Sequence, residues 1–354
     1  MKNKFFKSRL PIAGALWWVF TLSAAAQVKQ SKTLQHNFPL SGSSSLSIIN
    51  KYGQIHVNTA PVAQIQIKIL ITADAKNTET AQKILSGLEV KVQSGPQISL
   101  ETVASLGWKN LMNEVQIQSL QGNQTVPVKT SSKADYQVDY TITMPENFPL
   151  SLNNRFGGIY VGKHTGRLQL WLEYGSLKTG RLEGNDKKIV NVKFGNADID
   201  YAEEAEITMA YSTLRLNQAQ RIYFEGKYGN AEIGQVHHIT GSSAYSQFQL
   251  STLTGNLTMS TRHDGRFQVG PVANRFGQVE ITGEYSQISL TMAPEASYNF
   301  EFDLKYARLE GSQNGFQFQH KQEANTSAFY QGRKGSGGSS RLKVVSRYGD
   351  VSLL

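Results

Sequence analysis

The side chains of this 354-residue chain that stand out as able to do chemistry are seven histidines, a few carboxylate pairs and outward-facing aromatics, and cysteine is absent. That absence excludes a thiol nucleophile, a thiolate metal site and a disulfide framework. The histidines are His36, His56, His164, His237, His238, His263 and His320, and no HExxH spacing joins any two of them. His237 and His238 are adjacent, so on a strand they point to opposite faces and share a metal poorly. Glu203 with Glu204 and Asp198 with Asp200 are acidic pairs. The second pair falls on one outward strand face and could bind a cation, although such a face is more commonly just solvated. No catalytic set, metal or cofactor is expected.

Binding chemistry has more to work with. Trp171, Tyr160 and Tyr223 are expected to face outward among polar side chains, an arrangement that suits contact with sugars, although scattered exposed aromatics are also normal. Trp108 lies in a long polar segment, residues 104–134, with Leu111, Met112 and Val115. It could anchor a ligand or cover a small apolar cluster under the loop. The glycine-rich stretch at 332–338, GRKGSGG, lacks the phosphate-loop spacing and reads as a surface loop. Of nine surplus positive charges, Lys2, Lys4, Lys7 and Arg9 supply four. Most of the remainder gathers at Arg333, Lys334, Arg341, Lys343 and Arg347, and Arg341, Lys343 and Arg347 could attract an acidic polymer. The rest of the chain is nearly balanced, with no basic stripe, so nucleic acid is not an expected partner.

The elements that would carry these side chains come from a repeat. Tyr52, Phe156, Tyr174, Phe194, Tyr211, Tyr228, Tyr245, Phe276, Tyr285, Tyr306 and Tyr348 are each followed by Gly, Ser or Ala. Three and five residues later the chain is mostly apolar, as in Leu214 with Leu216, and alternating apolar residues also precede the aromatic, as in Leu168, Leu170 and Leu172. Each copy is therefore two short strands meeting at a corner. Steps of 17 between Phe194, Tyr211, Tyr228 and Tyr245, with flanking steps of 18 to 21, signal stacked repeats. The predicted fold is all-β: a single-stranded β-solenoid of coils of roughly 17–21 residues. Alternation places the aromatic on the inner face, where the rings would form a buried ladder. On that reading Tyr228→Ala costs roughly 3 to 5 kcal/mol. The small residue is read as the turn, with glycine supplying positive φ and close backbone approach. His263 and Asp264 mark a degenerate coil, and the 42-residue gap from Tyr306 to Tyr348 predicts one further coil with an irregular corner near Phe329.

Three segments are expected. Residues 1–26 have a basic start, an apolar run through Leu22 and Ala24-Ala25-Ala26, which reads as a secretory signal peptide too short to anchor. Residues 27–147 form a small α+β capping module. There Ile65, Ile67, Ile69 and Ile71 alternate with polar residues, and a helix capped by Asn77 or Thr78 gathers Ala81, Ile84, Leu85 and Leu88 on one face. Residues 148–354 are the solenoid. No transmembrane segment is expected in the mature chain.

With that register laid out, the chain resembles the β-strand-repeat family of bacterial envelope proteins described as putative adhesins of unknown function. These are related to the head GIN domain and are auto-transporter-adhesin-like. The resemblance rests on NKYGQIHV at 50–57, the AKNTETAQKIL helix, ITMPENFPLSLNNRFGGIYV, and the KFGNADI and KYGNAEI coils. It implies an exported β-solenoid, periplasmic or at the surface of a Gram-negative cell, with adhesion as its role, and it brings no catalytic residues. The long strand faces of about ten coils separately suggest a non-enzymatic protein that binds an extended envelope glycan or other surface polymer, or a protein partner. Two alternatives stand beside it. One is a polysaccharide-active β-helix lyase or hydrolase, although acids and bases look scattered here; the other is a purely structural envelope protein.

Overall fold

The computed structural model describes residues 27–42, 44–104 and 135–354. The predicted signal peptide and Trp108 lie outside these residues. The described chain forms 22 strands, all joined in one large mixed sheet, and a single helix. It is an all-β protein, and no helix among the described residues is long and apolar enough to cross a membrane.

The middle of the sheet is parallel. Thr213–Lys227 pairs with Asn196–Ala210 on one side and Asn230–Ala244 on the other, so that Ala197, Leu214, Ala231 and Phe248 fall in line. Each repeat forms one rung, named by its corner aromatic. Within Asn196–Ala210 the residues Ala197, Ile199, Ile207 and Met209 are buried, and their neighbours in sequence face out. Two consecutive buried residues, Tyr201 and Ala202, mark a second bend half-way along the rung. Both straight segments therefore deliver apolar side chains to one continuous core, each Ile or Leu contributing roughly 1.5–3 kcal/mol. The longer step from Tyr245 to His263 arises from a one-residue register shift between Val236 and His238.

Both ends depart from this order. At the start, Ser45–Thr59 pairs in parallel with Leu150–Val161 on one side; on its other side lie Gln97–Ala104 and Asp135–Met144. Asp135–Met144 in turn pairs antiparallel with Gln64–Ala75, which pairs antiparallel with Val28–Pro39. The helix Thr78–Gly87 covers these strands with Ala81, Ile84 and Leu85, as expected. Its N-cap is Asn77, which accepts a hydrogen bond from Thr80 N at 2.8 Å. Lys32 closes the other end, its Nζ donating to the carbonyls of Leu85 and Leu88.

At the far end, the segment expected to be a coil near Phe329 is a hairpin. Phe316–Ala324 and Ser327–Lys334 pair antiparallel, and the second strand lies antiparallel against Tyr298–Lys305. The last rung is also out of sequence. Arg341–Arg347 sits between Gln278–Glu284 and Tyr298–Lys305, and Val351–Leu353 sits between Ile288–Met292 and Leu309–Gly311. The Tyr348 rung is thus inserted between the Tyr285 and Tyr306 rungs.

A candidate binding surface on the aromatic corner

The structure reverses the expected direction of the rings. Tyr52, Phe156, Tyr174, Phe194, Tyr211, Tyr228, Tyr245, His263, Tyr285, Tyr306 and Tyr348 all have φ between +51° and +59°, and they are the positive-φ non-glycine residues among those described. A left-handed residue interrupts the alternation of a strand. Leu172 before it and Leu177 after it are buried, while Tyr174 between them swings outward. Nine of the ten Tyr and Phe rings in this set are 36–53 % exposed, and the tenth, Tyr52 at the near end, is half-buried. Phe276, expected to be a corner, is instead buried and packs on Tyr298, and His263 holds the ladder position. A left-handed L-residue costs roughly 1–2 kcal/mol. Stacking offers roughly 0.5–1.5 kcal/mol per pair, and an interior ring has two partners, so stacking offsets the strain that the corner imposes.

The stack is unbroken. Ten consecutive centroid separations run from 4.7 to 5.1 Å with interplanar angles of 2–15°, in the spatial order Tyr245, His263, Tyr285, Tyr348, Tyr306 at the far end. At the near end Tyr136 meets Tyr52 edge-on at 5.1 Å. Ring faces therefore lie against one another, and what the ladder presents outward is ring perimeter and tyrosine hydroxyl.

The small residue after every ring except His263, which Asp264 follows, has a single cause. A Cβ on Gly157 would stand 1.7 Å from the Gly53 carbonyl oxygen, and one on Gly229 would stand 2.0 Å from that of Ser212, so bulk is forbidden by the neighbouring rung. Positive φ belongs to the aromatic and not to these glycines, contrary to expectation. Where serine replaces glycine its hydroxyl bridges rungs. Ser212 Oγ accepts from Gly195 N–H at 3.2 Å and donates to Ala210 O at 2.7 Å, and Ser246 repeats the pattern with Gly229 and Ala244.

Two rows flank the ladder. Immediately before the rings stand Lys51, Arg155, Lys193, Lys227, Arg262, Arg347 and Lys305, against only Glu173 and Glu284. On the other side the row is rich in amides and hydroxyls, including Asn196, Thr213, Asn230 and Gln247, with Arg266, Arg308 and Asp350 toward its far end. Lys51 and Arg155 lie over the Tyr52 and Phe156 rings at 4.9 and 5.0 Å. Several cations are held by carboxylates: Arg155 by Glu173 at 3.2 Å, Arg262 by Glu284 at 3.1 Å, and Lys227 by Glu225 at 2.9 Å. Arg347 makes two bonds of 2.9 Å to Asp303, which holds that carboxyl below the usual range. Alignment of the residue before each aromatic would have exposed this row in the sequence.

The side chains that the sequence offers for binding are dispersed. Trp171 is half-buried, in register with Asn153 and Asn191; Tyr223, exposed, is on the same face three rungs away, between Glu206 and Thr240. Tyr160 is across the ladder, half-buried and stacked on His56 at 4.4 Å. Of the basic trio, Lys343 faces Glu301 at 3.4 Å, Arg347 is taken by Asp303, and Arg341 is exposed.

The second bend gathers the other titratable groups. Glu203, Glu204, Arg221, His237 and His238, with Asn185, Tyr201 and Gln220, line an open groove of about 550 Å³. Because the chain turns there, His237 and His238 do not diverge as expected; their rings are 4.2 Å apart. Burial, then His237 and Arg221, lowers the His238 pKa. Glu203 Oε2 accepts Gly184 N–H at 2.7 Å, and Glu204 lies 3.5 Å from Arg221. Among the described residues no three His, Asp or Glu side chains converge as a metal site. Beneath the bend Lys188 is fully buried, its ammonium donating to the carbonyls of Thr165, Gly184 and Asp186, and burial lowers its pKa. His164 is buried beside it, with its pKa pushed down to about 4 mainly by desolvation.

No family model matches the chain, and no curated protein does. Among solved structures, a putative adhesin from Parabacteroides merdae ATCC 43184 matches at 9 % identity, covering 91 % of this chain and 96 % of that one, with a TM-score of 0.33. A putative adhesin from Bacteroides fragilis NCTC 9343 matches at 10 % identity over 91 % and 97 %, TM-score 0.30. A putative lipid binding protein from Parabacteroides distasonis ATCC 8503 matches at 11 % identity over 92 % and 96 %, TM-score 0.31. At these TM-scores the described roles of the three proteins do not transfer to this chain.

Proposed function

We propose that this is an exported, non-enzymatic envelope protein whose aromatic corner binds an extended surface polymer. In this reading the parallel stack is a β-solenoid closed at its start by a capping module, in keeping with the sequence resemblance to the head GIN relatives. The observation that carries the proposal is the ladder. Eleven rings at 4.7–5.1 Å make a strip roughly 50 Å long, a shape suited to an extended chain and not to enclosing a small molecule. Trp171 and Tyr223 add contacts on the strand face beside it. Affinity electrophoresis of the secreted chain through gels holding envelope polysaccharides tests this. Retardation by at least one polymer is expected, and Trp171→Ala should reduce it at any salt. A mobility equal to that of a non-binding control in every gel would replace the proposal with a purely structural role.

A polysaccharide-active enzyme is the second reading, favoured by one observation: the acids and histidines that look scattered in sequence share the groove at the second bend. Against it, Glu203 already accepts a backbone N–H and Glu204 faces Arg221, so neither carboxylate stands free as general acid or nucleophile. Product analysis after incubation with the same polysaccharides separates the two readings, since only an enzyme leaves shortened chains.

A further inference from the structure

We infer that the polymer taken by the ladder is an anionic linear polysaccharide, held along ring edges and not on ring faces. This rests on the polymer-binding reading above and adds its chemical class. An aromatic ring is negative on its faces and positive around its rim. Mutual stacking at 2–15° hides the faces and leaves the rims outward, so the strip is lined by the positive part of each quadrupole together with repeated phenol O–H donors. The flanking rows reinforce the same sign, with nine cations against Glu173, Glu284 and Asp350. Five of those cations, Lys51, Lys193, Arg266, Lys305 and Arg308, are exposed and their side chains make no ion pair among the described residues, although the Arg308 backbone N–H donates to Asp350 Oδ1 at 2.8 Å. They occupy four rungs from the Tyr52 rung to the Tyr306 rung, where Lys305 and Arg308 flank the same ring, so a long chain can meet all of them and a short oligomer cannot. Single-stranded nucleic acid, the other common polyanion, is bound largely by stacking bases on open ring faces, and here those faces are occupied by neighbouring rings.

The test uses the secreted chain with polygalacturonate, its fully methyl-esterified form, dextran sulfate, trigalacturonate and single-stranded DNA as probes, by affinity electrophoresis or calorimetry. Polygalacturonate should bind at least tenfold more tightly than the ester and than trigalacturonate, and should weaken at least tenfold between 50 and 300 mM salt. The double variant Lys193→Glu, Arg266→Glu should lose at least tenfold, while Lys83→Glu, exposed on the helix Thr78–Gly87 away from the ladder, should not. Binding of dextran sulfate alone keeps the anionic class and makes sulfate the charged group. Equal affinity for the ester and the acid overturns the anionic class while leaving polymer binding intact. Tighter binding of single-stranded DNA overturns it in favour of nucleic acid. Failure of all the polysaccharides removes the polymer-binding reading itself.

Discussion

The two bends of each rung solve the same problem by opposite means. At the aromatic corner the solution is nearly uniform: one left-handed residue, then, except at His263, where Asp264 follows, one residue without room for a large side chain, and a hydrogen bond to the next rung, as in Tyr211 N to Lys227 O at 3.0 Å. The second bend is irregular. It takes in loops of different length, a one-residue register shift at Val236, a buried histidine and a buried lysine. A corner that repeats can be lined up from rung to rung and gives the molecule its continuous outer strip. A bend that varies absorbs insertions and collects polar groups, each with its own local set of hydrogen bonds.

The sharpest way to break this contrast is at the uniform corner. Gly229→Val places a branched side chain where even a Cβ would stand 2.0 Å from Ser212 O, and should destabilise by about 3 kcal/mol or more in urea melts. At Gly265, in the His263 rung, an added Cβ would meet nothing within 4 Å, and φ lies outside the left-handed region, so Gly265→Ala should change stability by less than about 0.5 kcal/mol.

Acid separates the bends by sign. His164 binds its proton at about 4 in the folded chain, below the ordinary value of 6.5, so the unfolded state takes up the proton first as pH falls. Its contribution is complete above about pH 6.5 and is lost as pH drops toward 4, by up to about 3 kcal/mol. Asp264, at the aromatic corner, behaves oppositely. It is buried, and desolvation raises its pKa although Thr261 and Ser246 donate to it. The folded state therefore protonates first, and this group adds stability as pH falls through its raised value toward the ordinary carboxylate range. Melts from pH 7.5 to 3.5 should show a flatter acid limb for His164→Gln and a steeper one for Asp264→Asn.

Smaller effects come from the rings. Because Tyr228 is outward, Tyr228→Ala should cost about 1–3 kcal/mol, through two lost stacks with the left-handed strain retained, and not the 3–5 expected of a buried ring. Tyr228→Gly loses the same stacks but relieves the strain, so it should be milder than the alanine variant. Thermal melts that rank glycine below alanine would remove the strain account of the corner. Smallest of all is Glu232→Gln, which touches only an exposed pair with Arg215 at 3.3 Å and should stay within about 0.5 kcal/mol.

These contrasts also explain what could be read from the sequence. Strand identity, the seventeen-residue step and the Asn77 helix were legible, because they depend on alternation and capping, which are local. The direction of the rings was not. Parity carried over from Leu172 puts Tyr174 inside, and only a left-handed φ, which no residue type here announces, turns it out. Phe276 was mistaken for a corner because Phe-Gly-x-Val imitates one, while His263 has the right geometry with the wrong ring. The hairpin at Phe316–Lys334 and the rung inserted from 341–353 are non-local pairings, and a gap of two periods fits them no better than it fits a coil. Of the side chains on and beside the candidate strip, the outward Tyr223 was foreseen, whereas the cations beside the ladder go unnoticed until the residue before each aromatic is lined up.

The inserted rung also sets a timetable. Central rungs close on partners seventeen residues away, but Gln278 waits for Arg341 and Ile288 for Val351, each 63 residues later. Until residues 341–353 are synthesised, the Tyr285 and Tyr306 rungs expose two facing, unpaired parallel edges, the kind that recruit strands from other chains. The stack thus carries its greatest aggregation hazard in the interval between making its penultimate rung and completing its last.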